Sequence, residues 1–266
     1  MQTLTSKDGT TIAYETAGSG PAVIVVNTVA EDHTGVAGIA AELAKHFTAV
    51  SYDRRGRGGS GDPQPYDPAR EVEDIEALID AVGGTAALVS GSAGCMLALD
   101  AATALGPKVT GLGLFEAPFI VSDIRPPLPA DYVAHQEALV AAGKRSEAVE
   151  YFMRDVLLIP AEWVEGMKQD PSWDEMAALA HTYAYDGRIV QGTMDGTPLP
   201  RDRWTVDAPV LVQVGENGEP FIHEGAHALA ELLPHVTVEV LPGLDHSAFW
   251  MTPAPVAESV RSFLTR

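Results

Sequence analysis

The sequence predicts an α/β protein in which a mostly parallel sheet carries helices on both faces and is interrupted by a helical insertion. In residues 1–119, short β-branched apolar runs alternate with amphipathic stretches of helical spacing. In residues 120–206 no convincing strand pattern occurs, and prolines precede several helix-like stretches. In residues 207–266 the alternation of strand and helix resumes. We therefore expect one core formed by residues 1–119 and 207–266, and a helical cap formed by residues 120–206.

The predicted strands are short, uninterrupted apolar runs that follow one another with helices between them. The first clear run, AVIVVN, comes directly after a Gly-Pro pair. Runs of this kind are typical of strands that a parallel sheet buries on both faces. The predicted strands are Ala22–Asn27, Thr48–Asp53, Ala86–Gly91, Val109–Phe115, Pro209–Gly215 and Val236–Leu241.

The predicted helices have apolar residues three and four positions apart. The clearest one begins at a proline with acidic residues close behind it, which is typical of a helix N-terminus. The predicted core helices are Val36–Lys45, Pro68–Val82, Ala93–Leu105, His223–Leu233 and Val256–Leu264. The predicted cap helices are Tyr132–Ala142, Glu147–Leu158, Ala161–Gln169 and Trp173–Ala184.

Composition limits the function before any motif is considered. The chain has 266 residues, with 17 basic and 37 acidic side chains and a formal net charge of −20. Nucleic acids and anionic membrane surfaces should repel such a protein, and anionic substrates are disfavoured unless a local arginine offsets the overall charge. The single cysteine, Cys95, excludes an intramolecular disulfide. With no basic leader and no apolar run of about 20 residues, a cytoplasmic location is expected.

The segment Ser90-Gly91-Ser92-Ala93-Gly94 lies between a predicted strand and a predicted helix. Small residues around the central serine allow a sharp turn that exposes the Ser92 hydroxyl beyond the end of the strand. The dipole of the following helix favours negative charge at that point. This pattern is typical of a nucleophile elbow, although serine occupies the first position, where glycine is usual.

Two further motifs point to one family. Asp53-Arg54-Arg55-Gly56-Arg57-Gly58-Gly59-Ser60 follows a predicted strand and matches a D-x-R-G-x-G-x-S turn, and Gly-Leu-Asp-His occurs at 243–246. Together with the elbow, their order along the chain resembles the α/β-hydrolase family. The resemblance covers nearly all of the chain and puts residues 120–206 in the position of the helical cap, as in capped bacterial serine hydrolases.

The resemblance implies roles for four residues. Ser92 would be the nucleophile, and His246 would be the general base that takes its proton and later returns it. The backbone N–H groups of Ala93 and Val29 would form the oxyanion hole. The family usually has His-Gly-x where this chain has Asn27-Thr28-Val29.

The acid of the triad has two candidates. The family usually places an aspartate in a Gly-x-x-Asp turn after the strand Pro209–Gly215, but here Gly218 stands at that position. Glu116, at the end of the preceding strand, resembles the acid of some haloalkane dehalogenases, and Glu219 is the alternative if the loop shifts by one residue. A buried carboxylate needs a partner, which for Glu116 is either His246 or an arginine of the cap.

The sequence therefore predicts a serine hydrolase that cleaves an ester, lactone or thioester of a small apolar molecule without a cofactor or metal. A non-hydrolytic enzyme of the same fold (lyase, cyclase or perhydrolase) and a non-catalytic protein that binds a small ligand stay as alternatives. The segment from His223 to His227 matches the H-E-x-x-H zinc pattern. Because it falls on a helix expected to cover the sheet, we interpret it as a solvated helix face.

Overall fold

A computed structural model describes residues 1–266 and contains one eight-stranded sheet with the order β1-β2-β4-β3-β5-β6-β7-β8. The pairs β1–β2 and β2–β4 are antiparallel, and all the other pairs are parallel. The predicted fold class, a mostly parallel sheet with helices on both faces, is thereby confirmed. The strands are β1 (Gln2–Thr5), β2 (Thr11–Gly18), β3 (Ala22–Val26), β4 (Thr48–Tyr52), β5 (Ala86–Gly91), β6 (Val109–Phe115), β7 (Val210–Gly215) and β8 (Val236–Leu241).

The two N-terminal strands were not predicted from the sequence. β1 is largely exposed, and β2 has three consecutive buried residues followed by four exposed ones. β1 forms an edge of the sheet, and β2 lies next to it with more than half of its residues exposed, so neither sequence has the continuous apolar run that identified the central strands.

Helices cover both faces of the sheet. On one face α1, α10 and α11 pack with β3 and β5 around a cluster of 18 buried residues. On the other face α2, α3 and α9 pack into a cluster of 39 buried residues. These helices are α1 (Ala37–Leu43), α2 (Pro68–Ala81), α3 (Gly94–Leu105), α9 (Pro220–Leu232), α10 (Ala248–Met251) and α11 (Pro253–Leu264).

Residues 120–206 contain helices and no strand. Their own cluster of seven buried residues includes Trp173 and Tyr183. We keep the name cap for residues 120–206, and their division from the core as a domain stays a prediction. The helices are α4 (Tyr132–Ala141), α5 (Arg145–Tyr151), a π-helix (Phe152–Val156), α6 (Ala161–Met167), α7 (Ser172–Ala178) and α8 (Thr182–Ile189).

The single helix predicted over Trp173–Ala184 is wrong, because α7 and α8 are separate. Arg145 donates to the carbonyl oxygens of Ala177 and Ala178 at 3.2 and 2.7 Å, which terminates α7. A side chain from another helix thus supplies the stop signal, and the local sequence does not contain it. No helix of the protein combines the length and apolarity needed to cross a membrane.

Candidate active site

Ser92 lies at the turn between β5 and α3, with a φ of 52°. This left-handed conformation strains a residue that has a β-carbon, and its backbone N–H is held by Phe115 O at 2.9 Å. The turn needs its glycines: a β-carbon at Gly91 would lie 2.8 Å from the Phe249 ring, and one at Gly94 would lie 2.7 Å from Asn27 O. The arrangement predicted for a nucleophile elbow is therefore present around Ser92.

Ser90 explains how the elbow tolerates a departure from the usual glycine. The residue is fully buried, and its hydroxyl donates to Val26 O at 2.8 Å. Because Val26 ends β3, this hydrogen bond ties the strand that precedes the elbow to the strand that precedes the Asn27-Thr28-Val29 loop.

Glu116 and His246 meet although 130 positions separate them. Glu116 is fully buried at the end of β6, and its Oε2 lies 2.8 Å from His246 Nδ1. Its other carboxylate oxygen accepts a hydrogen bond from the Gly215 N–H at 2.8 Å. A φ of 47° turns Glu116 out of the strand direction. Both carboxylate oxygens thus have partners, as a buried carboxylate requires.

The Glu116 carboxylate fills the space that a side chain at Gly218, in the loop after β7, would need. A β-carbon at Gly218 would lie 2.6 Å from Glu116 Oε1, far closer than such contacts allow. An aspartate at Gly218 would therefore force the Glu116 carboxylate away from its partners, the Gly215 N–H and His246. The glycine at position 218 thus leaves room for the Glu116 carboxylate at the end of β6.

Glu219, the alternative acid, is not brought to His246. Its carboxylate is 66% exposed and forms an ion pair with Arg125 of the cap, with 2.8 Å between Arg125 Nη1 and Glu219 Oε2. Arg125 of the cap thus pairs with Glu219, and the partner of Glu116 is His246.

The two backbone groups expected to form an oxyanion hole both border the cavity that contains Ser92 and His246. Neither the Val29 N–H nor the Ala93 N–H donates a hydrogen bond to another group of the protein. Ser92 Oγ makes no hydrogen bond to His246. Contacts of this kind are commonly long in unliganded enzymes and shorten when substrate binds.

A buried charge cluster supports the Asn27-Thr28-Val29 loop. Arg54 donates to Thr28 O at 3.3 Å and forms a two-pronged ion pair with Glu71, with both distances 2.7 Å. Arg57 also donates to Thr28 O. Asp186 of α8 binds both arginines at 2.7 to 2.8 Å and accepts from the Ala30 N–H at 3.3 Å. Arg54 and Arg57, at variable positions of the D-x-R-G-x-G-x-S motif, therefore help to position the loop that carries the Val29 N–H.

Asp186→Asn is expected to destabilise the protein by about 3 kcal/mol, since the substitution removes the ion pair of buried Arg57 and one of the two ion pairs of buried Arg54. Denaturant unfolding of the variant measures this loss, with Asp123→Asn as the control because Asp123 is exposed in the cap and forms no ion pair. An Asp186→Asn variant as stable as the wild type would contradict this account of the cluster.

Glu31 is an unusual titratable group next to the same loop. Burial raises the pKa of its carboxyl group from 4.5 to about 7, and the positive charge of Arg57 offsets this only in part. Its Oε2 atom has no hydrogen-bond partner. The folded protein therefore holds this proton more tightly than the unfolded chain, so stability falls as the pH rises from about 4.5 to about 7.

Glu31→Gln is consequently expected to raise the free energy of unfolding by about 2 kcal/mol above pH ~8, where the wild-type carboxylate is charged. Below pH ~5 the difference should become small, because Glu31 is then protonated in the folded state. Denaturant unfolding of the wild type and the variant at both pH values measures the difference. Glu162→Gln, at an exposed position of the cap, is the control. A stabilisation that does not depend on pH would contradict the assignment to Glu31.

The cavity above Ser92 has a volume of about 290 Å³, and 12 of its 20 lining residues are hydrophobic. The cap closes one side of it. Of the cap's aromatic residues, Tyr132 and Phe152 border the cavity, whereas Trp173 and Tyr183 lie in the cap's own cluster. The site can thus hold a small, largely apolar molecule against the elbow.

The H-E-x-x-H segment lies on α9, and Glu224 accepts a hydrogen bond from Ser122 of the cap at 2.6 Å. The one group of three side chains close enough to share a metal ion is elsewhere, at Asp32, His33 and Asp53. There the Asp53 carboxylate binds His33 Nδ1 at 2.7 Å and the Gly59 N–H at 2.7 Å. These contacts indicate that Asp53 stabilises the D-x-R-G-x-G-x-S turn that it begins.

Asp186, Arg125 and Glu31 have roles that sequence reasoning missed. Arg54 and Arg57 lie in the D-x-R-G-x-G-x-S segment, but their partner Asp186 is about half the chain away, with no local sequence pattern around it. For Arg125 the only signal was a lone arginine among the prolines at the start of the cap.

Comparisons with known proteins agree with the fold described above. A family model described as "Alpha/beta hydrolase family" matches residues 23–259. A solved alpha/beta hydrolase from Sphaerobacter thermophilus is 41% identical, with a TM-score of 0.89, over 98% of this chain and 99% of that one. The enol-lactonase from Burkholderia xenovorans shares the fold, at 22% identity and a TM-score of 0.70 over all of both chains. The 2-(acetamidomethylene)succinate hydrolase of Mesorhizobium japonicum is 24% identical over 96% of this chain and 91% of its own length.

Proposed function

Because this chain belongs to the α/β-hydrolase family, we propose that it is a serine hydrolase that cleaves an ester, lactone or thioester of a small molecule through an acyl-enzyme on Ser92. The observation that carries the proposal is the hydrogen bond between His246 and the buried carboxylate of Glu116, in the cavity that also contains Ser92. A histidine oriented by a buried carboxylate is the arrangement that activates a serine hydroxyl.

The proposed reaction has two halves. Ser92 Oγ attacks the carbonyl carbon while His246 Nε2 takes its proton, and the N–H groups of Val29 and Ala93 donate to the oxyanion. Collapse of this intermediate breaks the bond to the leaving group, which receives the proton from His246. A water molecule, deprotonated by His246, then attacks the acyl-enzyme and releases the acid, and the proton returns to Ser92.

Glu116 has a positioning role in this scheme. Its Oε2 keeps the proton of the neutral imidazole on Nδ1, so that Nε2 is free to accept the serine proton. Its charge also stabilises the imidazolium that forms during each half-reaction. The Gly215 N–H prevents the carboxylate from turning away, since it holds the second oxygen.

The substrate class follows from the cavity and from the relatives together. A largely hydrophobic space of about 290 Å³ accommodates a small acyl group. One relative is named as a 2-(acetamidomethylene)succinate hydrolase and one structural neighbour as an enol-lactonase. Both names describe hydrolysis of small molecules, which supports small esters and lactones as the first compounds to try.

The test is direct detection of the acyl-enzyme. Protein mixed with p-nitrophenyl acetate and quenched in acid within the first turnovers should gain the mass of one acetyl group, located on Ser92 by peptide mapping. Hydrolysis of small esters, lactones and thioesters is then measured by titrating the acid that each reaction releases. Turnover without a trapped acyl group on Ser92, or a folded protein that cleaves none of the three classes, would contradict the proposal.

A further inference from the structure

Arg125 is the only arginine or lysine among the residues that line the cavity. Its side chain is 9% exposed, although the group it pairs with, Glu219, is 66% exposed. An arginine on a protein whose net charge is −20 has many carboxylates to pair with at the surface. This one instead lines the largely hydrophobic cavity that also contains Ser92 and His246.

The guanidinium group of Arg125 is held in place from several sides. Nη2 donates to Val156 O of the cap at 2.7 Å, Nη1 donates to Glu219 at 2.8 Å, and the group lies over the Phe221 ring at 4.5 Å. Of its five N–H groups, two have these partners, so donors remain for a planar anion. A fixed guanidinium group binds carboxylates particularly well, because two parallel hydrogen bonds match its geometry.

Glu219 shows that a carboxylate fits at this position. Since most of its own surface is in water, the Glu219 carboxylate can leave Arg125 and remain solvated. Arg125 cannot leave in the same way, because it is buried against Phe221 and Val156 O. A carboxylate that arrives with a ligand can therefore replace Glu219 without leaving a charge unpaired in the cavity.

We propose that Arg125 recognises a carboxylate on the acyl part of the substrate, so that the enzyme acts on monoesters or monothioesters of small dicarboxylic acids, or on small lactones that carry a carboxylate. The inference rests on the proposed function and narrows its substrate class. Such a substrate matches the lining of the cavity. Its carboxylate would bind Arg125, and its apolar chain would contact the hydrophobic residues. In the absence of substrate, the Glu219 carboxylate binds Arg125 in its place.

The experiment compares charged and neutral esters of the same shape. The monomethyl esters of succinic, glutaric and adipic acid are paired with the methyl esters of 4-methylpentanoic, 5-methylhexanoic and 6-methylheptanoic acid, in which an isopropyl group replaces the carboxylate. We expect the ratio of kcat/KM, charged to neutral, to exceed about 10 for at least one pair, as a charge-assisted hydrogen bond allows.

Variants test whether Arg125 causes the preference for the charged esters. Arg125→Met should lower the ratio to about 1 or below, and Glu219→Gln should raise it by about threefold or more, because the internal competitor is weakened. Arg154→Met is the matched control, since Arg154 belongs to the same cap, is exposed and does not border the cavity. A wild-type ratio below 1, or a ratio that Arg125→Met leaves unchanged, would mean that Arg125 and Glu219 only join the cap to the core.

A binding measurement separates failure of this inference from failure of the proposed function. Titration calorimetry with the monomethyl esters of the three diacids on Ser92→Ala needs no chemistry. Binding that Arg125→Met weakens about tenfold or more supports the carboxylate site even if no ester is hydrolysed. Equal binding of charged and neutral esters would overturn it even if the enzyme cleaves both.

Discussion

Ser92→Ala is expected to reduce turnover of any accepted ester by about four orders of magnitude or more, because the acyl-enzyme route is then lost. The fold should survive, since alanine keeps the β-carbon and removes only the Ser92 Oγ atom, which makes no hydrogen bond within the protein. The same variant should lose covalent labelling by a fluorophosphonate. Intact mass measurement after treatment of the wild type should show a single adduct.

The control for this prediction is Ser247→Ala. Ser247 follows His246 in the chain and is exposed, and its hydroxyl is engaged with Asp245. This variant should keep both the adduct and the turnover. A wild-type protein that is folded but unlabelled, or a label that persists in Ser92→Ala, would contradict Ser92 as the activated nucleophile.

Glu116→Gln is expected to lower kcat on a neutral ester by about a thousandfold or more, with the protein still folded. Glutamine keeps the shape of the side chain and can hydrogen bond to the Gly215 N–H, but it cannot stabilise a charged His246 or hold the required tautomer. Glu219→Gln should change the same kcat by less than about tenfold, because Glu219 contacts Arg125 and not His246. The reverse ranking would move the acid to Glu219.

Gly218→Asp provides a sharper test of the same assignment. Alone, this substitution should impair both stability and turnover, because its β-carbon would lie 2.6 Å from Glu116 Oε1. Combined with Glu116→Gly, it removes the clash and supplies a carboxylate from the loop after β7. We expect the double variant to be more active than either single variant, a non-additive result of the kind that groups sharing one site produce. Strictly additive losses would contradict the shared position.

The local motifs were predictable because their determinants are neighbours in the chain. Ser92 stands out since the strand, the turn and the helix that make an elbow are contiguous, and the glycines that the turn needs lie beside it. His246 stands out in a similar way, in a short Gly-Leu-Asp-His segment after the last strand. The alternation of buried strands and amphipathic helices likewise predicted the fold class, which the family match confirms.

The position of the acid was predicted only as a choice between two residues. Glu116 and Glu219 both follow parallel strands, and the ends of β6 and β7 are adjacent in the sheet. Which carboxylate meets His246 depends on the left-handed backbone at Glu116 and on the space left free at Gly218. Neither property can be read from periodicity or composition.

The sequence by itself determined the mostly parallel α/β architecture, the elbow at Ser92 and the histidine at 246, because each is encoded by residues close together in the chain. Only the tertiary structure decided that Glu116 contacts His246, that Asp186 compensates Arg54 and Arg57, and that Arg125 lines the cavity. Those contacts join groups about 100 or more positions apart, and they form because a buried charge must find a partner wherever the packing of helices and strands provides one.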